Sequence, residues 1–245
     1  MKILIVSAHP DDEIIGMGGT LKKLSKDNQI KVLFLADGIT ARKQGGFKNS
    51  VKYETTTHQE NSMKVEIEKR KQHAKNALKI LGIKQTKFLD LPDNELDLVP
   101  FLKIVKEVEH EIEKTKCDTI FTHHYNDLNI DHRFAYEASI TAARPLENST
   151  VNSIISFEAI SSSDWRQPYS FKPNMFIDIS KELPQKIKAL KEYKNEIRDF
   201  PHPRSKEALE ADAKRWGSLY GYKAAEAFEI VYTRSQNFPI KKNVK

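Results

Sequence analysis

Lys2-Ile3-Leu4-Ile5-Val6-Ser7-Ala8-His9-Pro10-Asp11-Asp12-Glu13 opens the chain with an apolar run of strand length, followed by one imidazole and three carboxylates. A continuous apolar run, rather than an alternating one, marks a strand covered on both faces, as in a parallel sheet. The polar cluster follows at the carboxyl end of that strand, which is where open α/β sheets hold ligands. Three acids packed beside a histidine repel one another unless a cation neutralises them. The stretch therefore predicts a sheet architecture and a metal-binding or catalytic role for its polar residues.

Working outward, helix and strand signals alternate. A helix is expected at 18–26, a strand at 30–36, and a long helix near 60–81 with Gly82 suited to cap it. A strand follows at 86–91, a helix at 99–116, a strand at 119–123, and a helix at 131–143 halted by Pro145. Strands at 153–159 and 174–179 and a helix at 181–197 come next. Pro201-His202-Pro203 interrupts, and a further helix spans 205–216 before Gly217. The pattern predicts a single α/β domain over 1–245 of Rossmann-like order. Its sheet should be mostly parallel, with helices on both faces and the active site at the carboxyl ends of the strands. Residues 200–245 are expected to form a C-terminal helical cap.

The second chemical segment is His123-His124-Tyr125-Asn126-Asp127-Leu128-Asn129-Ile130-Asp131-His132, which leaves one strand and enters the next helix. Two histidines and one carboxylate leave a metal coordination position open for water, as hydrolytic zinc sites require. His9 and Asp12 offer two ligands from one loop, and a histidine of the second segment offers the third. Asp131 is placed to orient an imidazole from behind.

Together these residues resemble the LmbE-like, or PIG-L-like, zinc-dependent de-N-acetylases. The opening His-Pro-Asp-Asp-Glu is complete at 9–13 and runs into Gly16-Met17-Gly18-Gly19-Thr20. Asp37-Gly38, Arg70 with Leu81-Gly82, Asp93 and Asp131-His132 follow in the family's order. The resemblance implies one Zn2+ per chain held by His9, Asp12 and His132, with Asp11 as general base and Arg70 and Asp93 on sugar hydroxyls. It implies removal of an N-acetyl group from an amino sugar, in surface-glycan or specialised sugar biosynthesis. Two positions depart from the family. Asn129 replaces a histidine that helps polarise the acyl carbonyl, so Asn129 is expected to face substrate. The carbonyl-polarising duty is then expected to fall to His124, with His123 as the other strand-end candidate. His73 stands where a glutamate is frequent, and reads as a packing or solvent-facing residue.

Composition narrows the alternatives. With 30% charged and 39% hydrophobic residues the chain reads as a globular enzyme, and its apolar runs are too short to cross a bilayer. Met1 leads directly into the first strand, leaving no signal-peptide pattern, so a cytoplasmic location is expected. Cys117 is the sole cysteine and excludes an internal disulfide or a cysteine zinc finger. The net charge of +6 is spread as lysines among acids on helical stretches, which reads as solvated surface rather than a nucleic-acid footprint. A small acetamido sugar is the expected partner, and a homo-oligomer is compatible with the sequence. Gly16-Met17-Gly18-Gly19 does not complete a dinucleotide fingerprint, because Leu21 occupies the last glycine's place. Residues 200–205 read as an interhelical kink or as a lid bringing His202 or Arg204 to substrate. Arg42-Lys43-Gln44-Gly45-Gly46 reads as a loop near the site, and Trp165 as packing or a sugar platform. The competing functions are an amidase for larger N-acyl groups, a non-catalytic sugar-binding module, and a nucleic-acid binder.

Overall fold

The structure, a computed structural model, describes residues 1–42, 56–194 and 196–234. The strands are β1 (Lys2–Ser7), β2 (Gln29–Ala36), β3 (Gln85–Leu91), β4 (Thr119–His123), β5 (Ser153–Phe157), β6 (Met175–Asp178) and β7 (Ala225–Thr233). The helices are α1 (Asp12–Leu24), α2 (Thr57–Leu81), α3 (Phe101–Thr115), α4 (Ile130–Ala142), α5 (Leu183–Leu190) and α6 (Lys206–Leu219). The strands form one sheet in the order β3-β2-β1-β4-β5-β7-β6. β1 to β5 run parallel, whereas β7 lies antiparallel to both β5 and β6.

Strand alternation sorts the apolar side chains into two layers. Ile3 and Ile5 of β1 pack with Phe34 and Phe121 against α1, α2 and α5. Leu4 and Val6 pack with Leu33 and Ile120 against α3 and α4. Every inner position of β1 is therefore buried, which explains its unbroken apolar run. Because β1 pairs with β2 on one side and β4 on the other, the strand order reverses between β1 and β4. Their carboxyl ends form the crevice where ligands of such folds bind.

Three elements differ from the sequence expectation. α1 begins at Asp12 rather than at 18, so the acidic cluster is itself the helix start. Met17, at φ −147°, ψ 22°, breaks the helical geometry inside it. A Cβ on Gly16 would lie 2.3 Å from Phe157 Cδ2, so glycine lets this helix lie directly on β5. Second, α5 ends at Leu190 instead of continuing to 197. Third, residues 200–245, read as a helical cap, divide. α6 is helical, whereas 225–233 form β7 inside the sheet. Glu226 of β7 is buried because it accepts from the N–H groups of Gly19 (2.9 Å) and Thr20 (2.6 Å) and from Lys186 Nζ (2.7 Å). A carboxylate here satisfies the donors left open where α1 resumes after its kink. Among the described residues no helix is long and apolar enough to cross a membrane. Positions 43–46 and 241–245 lie outside the described residues.

Candidate active site

β1 and β4 bring the two chemical segments into contact at the crevice. The Ala8 N–H donates to His123 Nε2 at 2.9 Å, tying the ends of the two strands together. Asp11 takes φ 126°, an unusual backbone conformation for an aspartate, at the turn between β1 and α1. Its backbone N–H donates to Glu13 Oε2 (3.0 Å), and Tyr193 holds the other Glu13 oxygen at 2.7 Å. Glu13 thus braces the loop, and burial pushes its carboxyl up to about 8.

His9, Asp12 and His132 converge so that one ligand atom from each lies within 4.8 Å of the others, and all three are buried. His9 Nδ1 is 3.3 Å and His132 Nε2 is 3.2 Å from Asp12 Oδ2. His132 Nε2 and Asp12 Oδ1 nevertheless make no hydrogen bond. Buried polar atoms without partners are costly unless an ion or water satisfies them. Together with the neighbouring His9 Nδ1 they make a set of two nitrogens and a carboxylate that fits a divalent cation.

The outer faces of the imidazoles are held by acids. His9 Nε2 is 2.9 Å from Asp131 Oδ2 and 3.0 Å from Asp93 Oδ1. Asp131 in turn accepts from the Asn94 and Leu96 N–H groups at 2.7 and 3.1 Å. His132 Nδ1 is 3.2 Å from Asp127 Oδ2, and Asp127 accepts from Ser163 Oγ at 2.7 Å and from Ser162 Oγ. Burial alone would depress both imidazoles. The acids outweigh it, lifting His132 to about 9 and His9 well above its usual value. The field of the site favours positive charge where the cation would sit.

Asp11 is fully buried beside this cluster. Its Oδ2 meets Arg70 Nη2 and Arg204 Nη1, each at 3.2 Å, while its Oδ1 has no partner. Burial raises the carboxyl to about 6, with the two guanidiniums holding it down. Arg70 also donates from Nε to the Pro10 carbonyl (3.1 Å) and pairs with Glu196. A Cβ on Gly38, which sits at φ +71°, would come 2.7 Å from Arg70 Nε.

The residues named from sequence therefore fall into two groups. His9, Asp11, Asp12, Asp93, Asp131 and His132 are brought together, with Arg70 at their edge. Arg70 and Asp93, expected on sugar hydroxyls, are turned onto Asp11 and His9 instead. Asn129 lines the neighbouring cavity. Its side chain is occupied at the start of α4, accepting from the Asp131 N–H (2.8 Å) and donating to Asn94 Oδ1 (2.9 Å). His124 is not with the cluster. Its Nδ1 meets Glu229 Oε2 at 2.7 Å and its Nε2 meets Ser170 Oγ at 2.9 Å. Side chains alternate along β4, so His123, not His124, turns toward the site and stacks on His132 with ring centres 3.9 Å apart. The expected carbonyl-polarising role of His124 is thus not met by its placement. Asp127 and Ser162 were not singled out as site residues, and only the proximity of Asp127 to His132 in sequence hinted at either.

Arg204, which meets Asp11, also lines a cavity of about 510 Å³, with Asn129, Ser161, Ser162, Trp165 and His202 among its other lining residues. Trp165 and His202 meet edge to face, 5.8 Å between centres. The 200–205 stretch forms one of its walls.

Comparison with known proteins agrees with this geometry. The diacetylchitobiose deacetylase of Thermococcus kodakarensis is 30% identical over 240 residues, covering 94% of this chain and 83% of that protein. An uncharacterised deacetylase of Escherichia coli, YaiS, is 27% identical over 201 residues, 79% of this chain and 90% of its own length. The crystal structure of the N,N'-diacetylchitobiose deacetylase from Pyrococcus horikoshii superposes with a TM-score of 0.71 at 23% identity, covering 94% of this chain and 84% of that one, and so shares the fold. Residues 4–143, which carry His9, Asp12 and His132, match the family described as PIG-L, GlcNAc-PI de-N-acetylase. On that match, and on the 30% identity of the Thermococcus relative over 94% of this chain, the chain belongs to the PIG-L de-N-acetylase family.

Proposed function

We propose that this chain is a zinc-dependent hydrolase that removes the N-acetyl group of an amino sugar. The observation that carries the reading is Asp11. It is a buried carboxylate with one unpartnered oxygen, set against three converging metal-ligand side chains and tied through Arg204 to the wall of a cavity of about 510 Å³. A binding module needs no such carboxylate.

His9 Nδ1, Asp12 and His132 Nε2 would hold the cation, a donor set suited to zinc. When bound, zinc would lower the pKa of a coordinated water toward neutrality and polarise the acyl oxygen. Asp11 Oδ1 is the acceptor for the proton of the attacking water, and Arg70 and Arg204 keep its other oxygen fixed. As the water oxygen bonds to the acyl carbon, Asp11 takes the proton. When the C–N bond breaks, Asp11 returns it to the sugar nitrogen, leaving acetate and the free amine. Asp127 and Asp131 hold the imidazoles at the angles the ligand set needs. Trp165 at the cavity rim offers a face on which a sugar ring can stack.

The test is acetate release from a panel of acetamido sugars, free, nucleotide-linked and glycoconjugate, with larger N-acyl analogues alongside. The reading expects acetate from at least one member and a preference for acetyl over longer acyl groups. Preference for a longer acyl group would favour an amidase, and no release by metal-loaded protein would end the proposal.

A further inference from the structure

We propose that Arg204 supplies the hydrogen bond that receives the negative charge developing on the acyl oxygen. The inference rests on the deacetylase reading above and assigns a role that reading leaves open. Amide hydrolysis gains most from a preorganised donor at the oxygen that becomes anionic. Besides Arg204 the cavity wall carries Arg198, which is exposed, and His202, whose Nδ1 accepts from the Arg204 N–H at 3.0 Å. Asn129 has both side-chain ends committed to the Asp131 N–H and Asn94. Ser162 is bound to Asp127, and Ser161 accepts from Arg204 Nε at 3.0 Å. His123 is fully buried and its Nε2 is taken by the Ala8 N–H, while His124 faces Glu229 and Ser170.

Arg204 differs on each count. Its side chain is 23% exposed and lines the cavity. Nε is pinned on Ser161 and Nη1 on Asp11 Oδ2 at 3.2 Å, so the guanidinium plane is held on both sides. Among the described residues its Nη2 has no protein acceptor. The group that binds the proton-accepting carboxylate thus keeps a second, cationic donor free of protein acceptors in a side chain that lines the cavity. In the reaction the carbonyl π pair moves onto oxygen as water adds, and Nη2–H donates to that oxygen. The pair returns to re-form the carbonyl as the C–N bond breaks and the nitrogen takes the proton from Asp11. The position also explains why 200–205 folds back over the site: Ser205 caps α6 through the Ala208 N–H, which fixes Arg204 one residue earlier.

The experiment compares N-acetyl and N-trifluoroacetyl forms of one accepted amino sugar in wild type, Arg204→Lys and Arg204→Gln. A trifluoromethyl group stabilises the oxyanion by itself, so dependence on an external donor shrinks. Arg204→Gln should lower kcat on the acetyl substrate roughly 100- to 1000-fold, with a clearly smaller loss on the trifluoroacetyl substrate and Arg204→Lys in between. Binding of a methylphosphonamide of the same sugar, a tetrahedral oxyanion mimic, should weaken by a similar factor in calorimetry, while the free amino sugar binds as before. If Arg204 only steadies Asp11, both substrates lose equally and the mimic binds unchanged, and either result overturns the proposal. Metal content and near-ultraviolet circular dichroism check each variant's fold, and the Lys variant carries the comparison if Gln fails to fold. A wild-type enzyme that releases no acetate from any amino sugar would overturn the deacetylase reading, and this inference with it. An active wild type with unaffected Arg204 variants would overturn this inference alone.

Discussion

Asp127 holds His132 by its Nδ1 at 3.2 Å, so that the opposite ring nitrogen, Nε2, is left facing Asp12 at the same distance. One carboxylate thereby decides which nitrogen of His132 is offered to a cation. Asp131 does the same for His9 through Nε2, leaving Nδ1 toward Asp12. Two acids, from the loop before α4 and from its first turn, thus set the orientation of two ligands, one just past β1 and one in α4.

Replacing Asp127 with Asn removes the charge but keeps the shape. Zinc affinity should fall roughly 10- to 100-fold, read by competition with a chromogenic chelator. Unchanged affinity would show that Ser162 and the stacked His123 suffice to hold His132.

Asp11→Asn should leave metal content intact and lower turnover by about 10²- to 10⁴-fold, the usual worth of a positioned proton acceptor. The measurement is kcat for acetate release alongside zinc stoichiometry. Loss of zinc in step with activity would mean Asp11 is a ligand or a purely structural residue.

Gly38→Ala combines a positive φ with a clash on Arg70. The backbone alone should cost about 1–2 kcal/mol, and displacing Arg70 from Pro10 and Asp11 should add a loss of activity. Urea unfolding reads the first and acetate release the second. A variant as stable and as active as wild type would show that the Gly38 turn and Arg70 move without consequence.

Glu158, just past β5, carries the clearest pH signature away from the metal site. Burial, reinforced by Asp212, pushes its carboxyl from 4.5 up to about 8, against the pull of the Tyr169 hydroxyl at 2.8 Å. The folded chain therefore binds this proton more tightly than the unfolded one. The stability it contributes is complete below pH 4.5 and is lost as pH rises through 8. Glu158→Gln should flatten the decline in Tm between pH 6 and 9. A decline as steep as in wild type would place its origin elsewhere.

Much of this was legible in the sequence, and what was not has local causes. The parallel strands announced themselves because both their faces are buried, and His9, Asp11, Asp12 and His132 because polar side chains crowd the strand ends. β7 was missed because Glu226 and Glu229 interrupt its apolar positions. Glu226 is buried only because it serves the kinked helix α1, a relation spanning some two hundred residues. The choice of His124 over His123 failed on strand parity: two adjacent histidines look alike until the pleat sends them to opposite faces. α1 was begun too late because the polar residues 9–13 read as a loop, whereas Asp12 already starts the helix and Met17 is a kink within it. The family resemblance implied sugar contacts for Arg70 and Asp93, and in the structure their side chains meet Asp11 and His9. Pro201-His202-Pro203 marked Arg204 as a lid candidate, but its contact with Asp11, across 193 residues, was not legible locally.

The most direct test is an anomalous difference map from crystals of zinc-loaded protein, recorded on either side of the zinc edge. A single strong peak within bonding distance of His9 Nδ1, Asp12 and His132 Nε2 is expected, vanishing in His9→Ala and His132→Ala crystals. No peak at that place, or one elsewhere with these three side chains unengaged, would contradict the account.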